Sequence, residues 1–391
     1  MGPSSLFNHV LGPVMHGPSS SHTAASFHIG RIARSALGES PVEADIAFDP
    51  AGAYAEVYRQ QGSDRAFAMG IMGRGITDPV YKNALEAVRG EGVDLTFTIK
   101  SLKDKDHPNA VEVFLKGASG RKVILGARSV GGGAVEVTSL DGIGLSLRSD
   151  AWDLVVLAEE GALPLLREEA GALTLAGSSL REWGHEELIV FHAPCLEKPP
   201  AGLIEGLRLA GGVRELWLLE PVFLPSKGEP LFSDASAMVS YAGREGVTLG
   251  EAGLRYEAAL LGLSREEAMN EMKRRYRVME ESVRAGLSGE GLSMRLMDPV
   301  AEGIMEAESR GGLALGGLHT RAAARALAAM HVNASGGLVV AASTAGSAGT
   351  IPGVAVTLRQ EMGLGEEEVA KVLFAASCIG LVISNRATFA A

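Results

Sequence analysis

The hydrophobic pattern of the chain changes along its length, and this change constrains the fold more than any other feature. Residues 1 to about 150 mix strand-like and helix-like runs, and the β-rich runs VEVFLKG and KVILGARSV predict a hairpin. Residues 231–391 are helical in pattern almost throughout. We therefore predict an α+β multidomain protein, with a mixed α/β domain at 1–150, a small module and linker at 151–230, and an all-α domain at 231–391.

The middle segment has the element order βαββαβ, which is typical of a small ferredoxin-like regulatory module. Its predicted strands are DLVVLAEE, LTLAG, EELIVFHA and RELWLLEP, and its predicted helices are LPLLREEAG and GLIEGLRLAG. The three prolines of PVFLPSKGEP then predict a linker. Because the strands DLVVLAEE and RELWLLEP are apolar, we expect them to align across a two-fold axis and form a homodimer.

The clearest helix of the last segment is SREEAMNEMKRRYRVMEESVRAG. Ser264 and Glu267 predict a capping box at its start, and Gly286 predicts its end. Glutamates flank the basic residues in its middle on both sides, which favours a solvated face over a nucleic-acid contact; these basic residues are Lys273, Arg274, Arg275 and Arg277.

Composition excludes several classes of protein. The net charge of −11 argues against a nucleic-acid partner. The longest apolar stretch, Val372–Ile383, is too short to span a bilayer, and the first residues do not have the pattern of a signal peptide. We therefore expect a cytoplasmic protein without a membrane partner. Two cysteines, Cys195 and Cys378, cannot supply the three or four thiolates of an ordinary iron–sulfur cluster.

The stretch HGPSSSHTAASFHIGR, residues 16–31, carries the strongest chemical signal. Three serines, a histidine and a threonine, Ser19–Thr23, directly precede a helical pattern. Unpaired N–H groups and the positive end of the helix dipole attract an anion at a helix N-terminus, so a carboxylate is the expected ligand. His22, one turn in, is suited to move a proton at neutral pH. The alternative is an N-cap with spare serines.

Three further loops allow two readings each. STAGSAGTIP opens a helix as a hydroxyl- and glycine-rich loop, or it is a tight helix–helix crossing made by small residues. SVGGG, residues 129–133, is a hairpin turn or a close approach to a ligand. QGSD, residues 61–64, is a helix cap at Ser63 or part of a site.

Common cofactor motifs are absent from the sequence. It contains no GxGxxG, GxxxxGK[ST], HExxH or GxSxG pattern. The sequence also lacks the lysine and the phosphate-binding loop that would indicate a pyridoxal phosphate enzyme. His192 and Cys195 form an HxxC pair, for which burial is a better interpretation than metal binding.

The stretch GPSSSHTAASFHIGR resembles the N-terminal signature of the iron–sulfur L-serine dehydratases, also called L-serine ammonia-lyases. SVGGG resembles the glycine segment of that family's β part, and STAGSAGTIP, the preceding Asn333 and the later LVISNRAT resemble its α part. The middle segment lies where many members carry an ACT-like module. The chain therefore resembles a fusion of a β part, an ACT-like module and an incomplete α part.

The resemblance implies a lyase of amino-acid degradation and gluconeogenesis that deaminates L-serine to pyruvate and ammonia. In the family, a [4Fe–4S] cluster with one iron free of cysteine acts as a Lewis acid on the substrate. By similarity, His22 and Ser21 would be catalytic. The residues that would bind substrate are Ser19, Ser20, Thr23, Ser63, Asp64, Thr344, Gly346 and Ser347.

The chain also departs from the family pattern. The family's cluster cysteines begin after the segment matched by SNRAT, and this sequence stops at Ala391, so we expect no metal ligands in this chain and no cluster held by it alone. Gln61 replaces the histidine of a Gly-His-Gly-Thr-Asp motif, and GLSMRLMDP is a poor counterpart of the family's GLTGGDA. Two alternatives remain: a non-catalytic paralogue that binds a small amino acid and acts as a regulator, or a partner chain that supplies the cysteines.

Overall fold

The computed structural model describes residues 4–102, 107–171, 173–174, 180–294, 298–342 and 346–384. The strands are β1 (Val14–His16), β2 (Pro41–Phe48), β3 (Asp94–Ile99), β4 (Ala110–Gly117), β5 (Lys122–Gly131), β6 (Ala134–Leu140), β7 (Ile143–Leu147), β8 (Trp152–Ala158), β9 (Arg181–His185), β10 (Leu188–Cys195), β11 (Val213–Leu219) and β12 (Leu338–Val340). The α-helices are α1 (Ala24–Leu37), α2 (Ala53–Val57), α3 (Ser63–Met72), α4 (Ala84–Gly90), α5 (Leu163–Gly171), α6 (Ala201–Leu209), α7 (Ala235–Glu245), α8 (Leu249–Leu261), α9 (Arg265–Ser288), α10 (Ala301–Ser309), α11 (Leu318–Ala334), α12 (Ser347–Met362) and α13 (Glu366–Ser384).

Contacts divide the chain into two compact units. The first, which we call the helical unit, comprises Met1–Ala24, Gly131–Gly133 and Gly228–Ala391. The second, the sheet unit, comprises Ala25–Val130 and Ala134–Lys227. The contacts thus group the chain differently from the three predicted segments, because the first residues pack with the C-terminal helices and the middle segment packs with the first sheet. The predicted boundaries near residues 150 and 230 stay predictions.

One sheet of the sheet unit contains, among the described residues, six strands in the order β3-β2-β4-β5-β6-β7. The predicted hairpin is confirmed, since β4 and β5 pair antiparallel from Ala110↔Arg128 to Lys116↔Lys122. Apolar residues alternate along both strands, so Val113 and Leu125 face a core that also buries Ile32 of α1.

Among the described residues, the middle segment forms a four-stranded antiparallel sheet in the order β11-β8-β10-β9. The predicted element order βαββαβ is confirmed, but the second strand is Arg181–His185; LTLAG lies mostly outside the described residues. The prediction that DLVVLAEE pairs across a two-fold axis is wrong, because β8 already bonds to strands on both sides. The homodimer itself and the likeness to an ACT module stay predictions.

Both faces of this second sheet are buried. Val155 and Trp217 pack into the core of the first sheet, whereas Leu154 and Phe191 pack in a separate core with Leu166 of α5. The sequence pattern explains this arrangement, since a strand buried on both faces is an apolar run rather than an alternation.

The long helix of the helical unit, α9, begins as predicted. Ser264 and Glu267 form a capping box in both directions, with nitrogen–oxygen distances of 2.7 and 3.1 Å. The predicted end at Gly286 is wrong, because α9 continues to Ser288 and Gly289 ends it with a φ of 66°. Gly286 instead lies against α11, where an added Cβ would be 1.9 Å from the carbonyl oxygen of Ala328.

The basic run on α9 is only partly a solvated face. Arg274 and Arg277 are exposed, as predicted, and they pair with Glu271 and Glu366. The prediction is wrong for Arg275, whose side chain is 7 % exposed and pairs with Glu271 at 2.9 Å. Its Nη1 donates to backbone carbonyls of the N-terminal segment; the acceptors are Phe7, Leu11 and Gly12.

The predicted all-α character of residues 231–391 needs one correction. The short strand β12 lies between α11 and α12 and pairs antiparallel with β1, with Val14 opposite Val340 and His16 opposite Leu338. The backbone groups of β1 need partners because Val14 and Met15 are buried, and β12 provides them. Within the described ranges, no helix is both long and apolar enough to cross a bilayer.

Candidate functional site

The segment Ser19–Thr23, which we call the serine loop, connects β1 to α1. Its entry is fixed by β12 and the turn before it. The N–H of Gly17 donates to the carbonyl of Gly337 at 2.9 Å, and Nδ1 of His16 lies 2.9 Å from the carbonyl oxygen of Gly336. The loop therefore starts from a backbone position that the helical unit determines.

Within the serine loop the backbone already makes a helical turn. The N–H groups of His22 and Thr23 donate to the carbonyl of Ser19, at 3.1 and 2.7 Å. These two donors are therefore engaged, and the positive end of the helix lies at Ser19–Ser21 rather than at Ala24. The half-buried hydroxyls of Ser20 and Ser21 lie on this first turn.

Thr23 stabilises the turn from inside. Its hydroxyl is buried and lies 2.5 Å from the carbonyl oxygen of His16 and 2.9 Å from that of Ser19. Its predicted contact with substrate stays a prediction.

His22 and Ser19 form the polar pair of the loop. The Oγ of Ser19 lies 3.2 Å from Nδ1 of His22. Burial lowers the pKa of His22, because the imidazolium would lose solvation. At pH 7 the ring is therefore neutral and suited to accept a proton.

Asn333, one residue before the end of α11, holds the backbone of Pro18, which directly precedes the serine loop. Its Nδ2 donates to the carbonyl of Pro18 at 3.0 Å, and the residue is 6 % exposed. An added Cβ on Gly17 would be 2.0 Å from the backbone oxygen of Asn333, so only glycine fits there. In the sequence, Asn333 stood out only through the family resemblance and not as a site residue.

The loop before α12 is described only in part. Gly346 precedes the helix with a φ of 83°, and Ser347 is its first residue. Thr344 lies outside the described residues. The crossing interpretation is confirmed at Gly349, where an added Cβ would be 2.6 Å from the backbone oxygen of Ala326 in α11; Gly353, just after the predicted segment, lies equally close to α11.

The triple-glycine segment is a hairpin turn between β5 and β6, as one of its two readings predicted. It packs closely in the helical unit, where an added Cβ on Gly133 would be 3.0 Å from Cβ of Ala24 and 3.2 Å from Cγ of Pro13. The turn thus contacts both ends of the segment that carries the serine loop.

Ser63 and Asp64 belong to the sheet unit. Ser63 is not the cap that was predicted, because α3 begins at Ser63 and Gly62 precedes it with a φ of 72°. Both residues are buried, and burial raises the pKa of Asp64. Their role beside the serine loop, and that of Gln61 in place of histidine, stay predictions.

A buried carboxylate that sequence reasoning missed holds the N-terminal segment. Glu257 of α8 is fully buried and accepts hydrogen bonds from the hydroxyl of Ser5 and from the N–H groups of Leu6 and Phe7, at 2.5 to 2.9 Å. No local pattern marks Glu257, because its partners lie about 250 residues away in sequence.

The described residues do not fit an iron–sulfur cluster. Cys195 and Cys378 are buried, and desolvation raises the pKa of their thiols to about 11 and about 12. In the described part of the chain, no three His, Cys, Asp or Glu side chains come together as metal ligands. We therefore derive no step through a cluster.

The fold and the serine loop define a mixed α/β protein with a helical C-terminal region, which presents hydroxyls and a neutral imidazole at the start of a helix. Comparison with known proteins identifies the family. Residues 184–391, more than half of the chain, match the family model described as serine dehydratase alpha chain. The chain therefore belongs to the serine dehydratase family.

Similar proteins include both chain types of this family. The chain is 36 % identical over 138 residues to the probable L-serine dehydratase beta chain of Bacillus subtilis, covering 35 % of this chain and 61 % of the relative. It is 33 % identical over 141 residues to the L-serine dehydratase beta chain of Peptoniphilus asaccharolyticus, covering 36 % of this chain and 63 % of the relative. It is 27 % identical over 159 residues to the probable L-serine dehydratase alpha chain of Bacillus subtilis, covering 40 % of this chain and 53 % of the relative. The chain thus spans less than two thirds of the length of each relative.

Proposed function

We propose that this chain acts in an L-serine dehydratase and that the serine loop binds the carboxylate of L-serine. The arrangement of Ser19 and His22 at the start of α1 carries the proposal. Relatives named as L-serine dehydratase chains support it, and they do not favour a non-catalytic regulator.

The carboxylate would lie against the first turn, Ser19–Ser21. Hydroxyl donors and the positive end of the helix converge there, and charge-assisted hydrogen bonds are about twice as strong as neutral ones. Because the first turn offers only two or three such bonds, we expect an affinity of about 1 mM.

His22 would take the proton from Cα of the bound serine. In the tautomer whose Nδ1–H donates to Oγ of Ser19, Nε2 carries the lone pair that accepts this proton. Burial keeps the pKa of His22 low, so the base form is present at neutral pH. Loss of this proton and of the β-hydroxide gives aminoacrylate, whose imine tautomer takes up water to yield pyruvate and ammonia.

We also propose that residues 151–230 form an ACT-like module and that the protein is a homodimer. The antiparallel strand order β11-β8-β10-β9 supports the likeness. Since β11 is an edge strand among the described residues, its backbone could pair with a second copy. Sedimentation of the full chain tests the dimer, and a monomer at high micromolar concentration would contradict it.

Calorimetric titration with L-serine tests the carboxylate site. We expect the double variant Ser20→Ala/Ser21→Ala to lose binding, while His22→Ala weakens it less because its proposed role is proton transfer. Loss of a helix cap costs only about 1 kcal/mol, so the double variant should stay folded.

The matched control is the double variant Ser288→Ala/Ser309→Ala. Both hydroxyls are exposed and bond to carbonyls three residues earlier on their helices. This control should bind L-serine as the wild type does. Equal binding by the wild type and the loop variants would show that the serine loop is only a helix cap.

A further inference from the structure

We propose that Oδ1 of Asn333 accepts a hydrogen bond from the ammonium group of the substrate and so distinguishes an amino acid from its des-amino analogue. The inference rests on the proposed function, because it places the substrate's carboxylate on the serine loop.

The orientation of the Asn333 amide follows from its neighbour. The carbonyl oxygen of Pro18 can only accept, so the group facing it at 3.0 Å must be the amide NH₂. This leaves Oδ1 as the group that points elsewhere. The oxygen is buried, and within the described residues it has no hydrogen-bond partner.

A buried acceptor without a donor is unfavourable, and in native proteins such groups are few. The side chain cannot turn to relieve this, because rotation would place the carbonyl of Pro18 against another oxygen. A ligand that brings an N–H donor removes the cost, so the site favours such a ligand.

The position of the amide relative to the serine loop is fixed by Gly17. An added Cβ there would be 2.6 Å from Oδ1 and 2.0 Å from the backbone oxygen of Asn333. The amide therefore lies directly against the backbone that leads into the serine loop. Because Pro18 directly precedes Ser19, our proposal places the α-carbon of a ligand bound at Ser19–Ser21 beside this side chain.

The chemistry of an α-amino acid matches this pair of features. Its carboxylate and ammonium are carried by the same carbon, so a carboxylate held by hydroxyls places three N–H donors beside it. A neutral amide oxygen accepts one of them without adding a second negative charge next to the carboxylate. A hydroxy acid or a plain carboxylic acid lacks this cationic donor.

The test compares L-serine with 3-hydroxypropionate, which is serine without its ammonium group. We expect the wild type to prefer L-serine by about 10- to 100-fold, the range for one hydrogen bond to a charged group. Asn333→Ala should reduce this preference to near unity. A role limited to holding Pro18 would weaken both ligands equally and leave the ratio unchanged, which would overturn the inference.

Two further variants keep the test decisive. Asn333→Leu keeps the approximate size of the side chain but removes its acceptor oxygen, so it should lose the preference for L-serine even if Asn333→Ala does not fold; a folded Asn333→Leu that keeps the preference would overturn the inference. Asn270→Ala, an exposed position on α9, is the matched control and should behave as the wild type.

The outcomes separate this inference from the function beneath it. Equal binding of both ligands by the wild type would refute the role of Asn333 and leave the carboxylate site intact. Binding of neither ligand would refute the carboxylate site, and the role of Asn333 with it.

Discussion

Arg275 ties the N-terminal segment to α9, and we expect Arg275→Met to loosen that segment. The guanidinium is buried, lies 4.8 Å from the ring centroid of Phe7, and donates through Nη1 to carbonyls of that segment. Methionine keeps much of the apolar contact but removes the charge and all donors.

The magnitude follows from what methionine leaves behind. Nη1 has two hydrogens, so up to two buried carbonyls lose their donors, and each unsatisfied group costs about 1–3 kcal/mol. Glu271 keeps Arg274 as a partner and is partly exposed, so it adds little. Glu257 still holds residues 5–7. We therefore expect a loss of about 2–4 kcal/mol in the free energy of unfolding of the helical unit.

Urea unfolding followed by two signals measures this change. All three tryptophans, Trp152, Trp183 and Trp217, lie in the sheet unit, so their fluorescence reports on that unit. Far-ultraviolet circular dichroism is dominated by the helices. Arg275→Met should move the dichroism transition to lower urea and leave the fluorescence transition nearly unchanged.

Arg274→Met is the matched control, because Arg274 is its exposed neighbour on α9. We expect this control to change stability by less than about 0.5 kcal/mol. If Arg275→Met costs no more than Arg274→Met, the buried hydrogen bonds do not hold the segment and the reasoning is refuted.

Three other predictions follow from the same structure. Gly286→Ala should destabilise the helical unit by more than about 2 kcal/mol, since its Cβ meets backbone, whereas Gly243→Ala, with no described atom within 4 Å, should be neutral or stabilising by up to about 1 kcal/mol; thermal melts compare them. Burial lowers the pKa of His331, so the unfolded chain binds its proton more readily, and stability should fall as pH drops below 6.5; His331→Gln should reduce that fall in urea titrations at pH 7 and 5. Anaerobic reconstitution with iron and sulfide should give no stable [4Fe–4S] centre on Cys195 and Cys378, as followed by absorption and paramagnetic resonance.

Each of these has a contrary result. If the two glycine variants had the same melting temperature, α9 and α11 would be able to move apart with little loss of stability. An unchanged acid dependence in His331→Gln would assign the titration to other groups. A near-stoichiometric cluster would show that the ligands are wrongly identified.

Features encoded by neighbouring residues were predictable from the sequence. The capping box of Ser264 and Glu267 and the hairpin of β4 and β5 depend on residues that are close in sequence, and both are confirmed. The serine loop was found in the same way, because hydroxyls before an apolar helical pattern mark a helix start.

Features that depend on distant partners were not predictable. Gly286 looks like a helix end, but it is glycine because α11 passes over it. Arg275 looks solvated between glutamates, but the N-terminal segment covers it. Asn333 contacts Pro18 more than 300 residues away, and neither residue's pattern indicates the other.

The pairing of β1 with β12 has a consequence for how binding competence arises during synthesis. The two strands lie more than 300 residues apart in sequence, so β1 leaves the ribosome long before its partner exists. The entropic cost of closing so long a loop grows only slowly with length, but closure must await the synthesis of β12. The serine loop is anchored by this closure at Gly17 and Pro18. Ligand binding there should therefore appear only after β12 has been synthesised, which makes it a late reporter of folding.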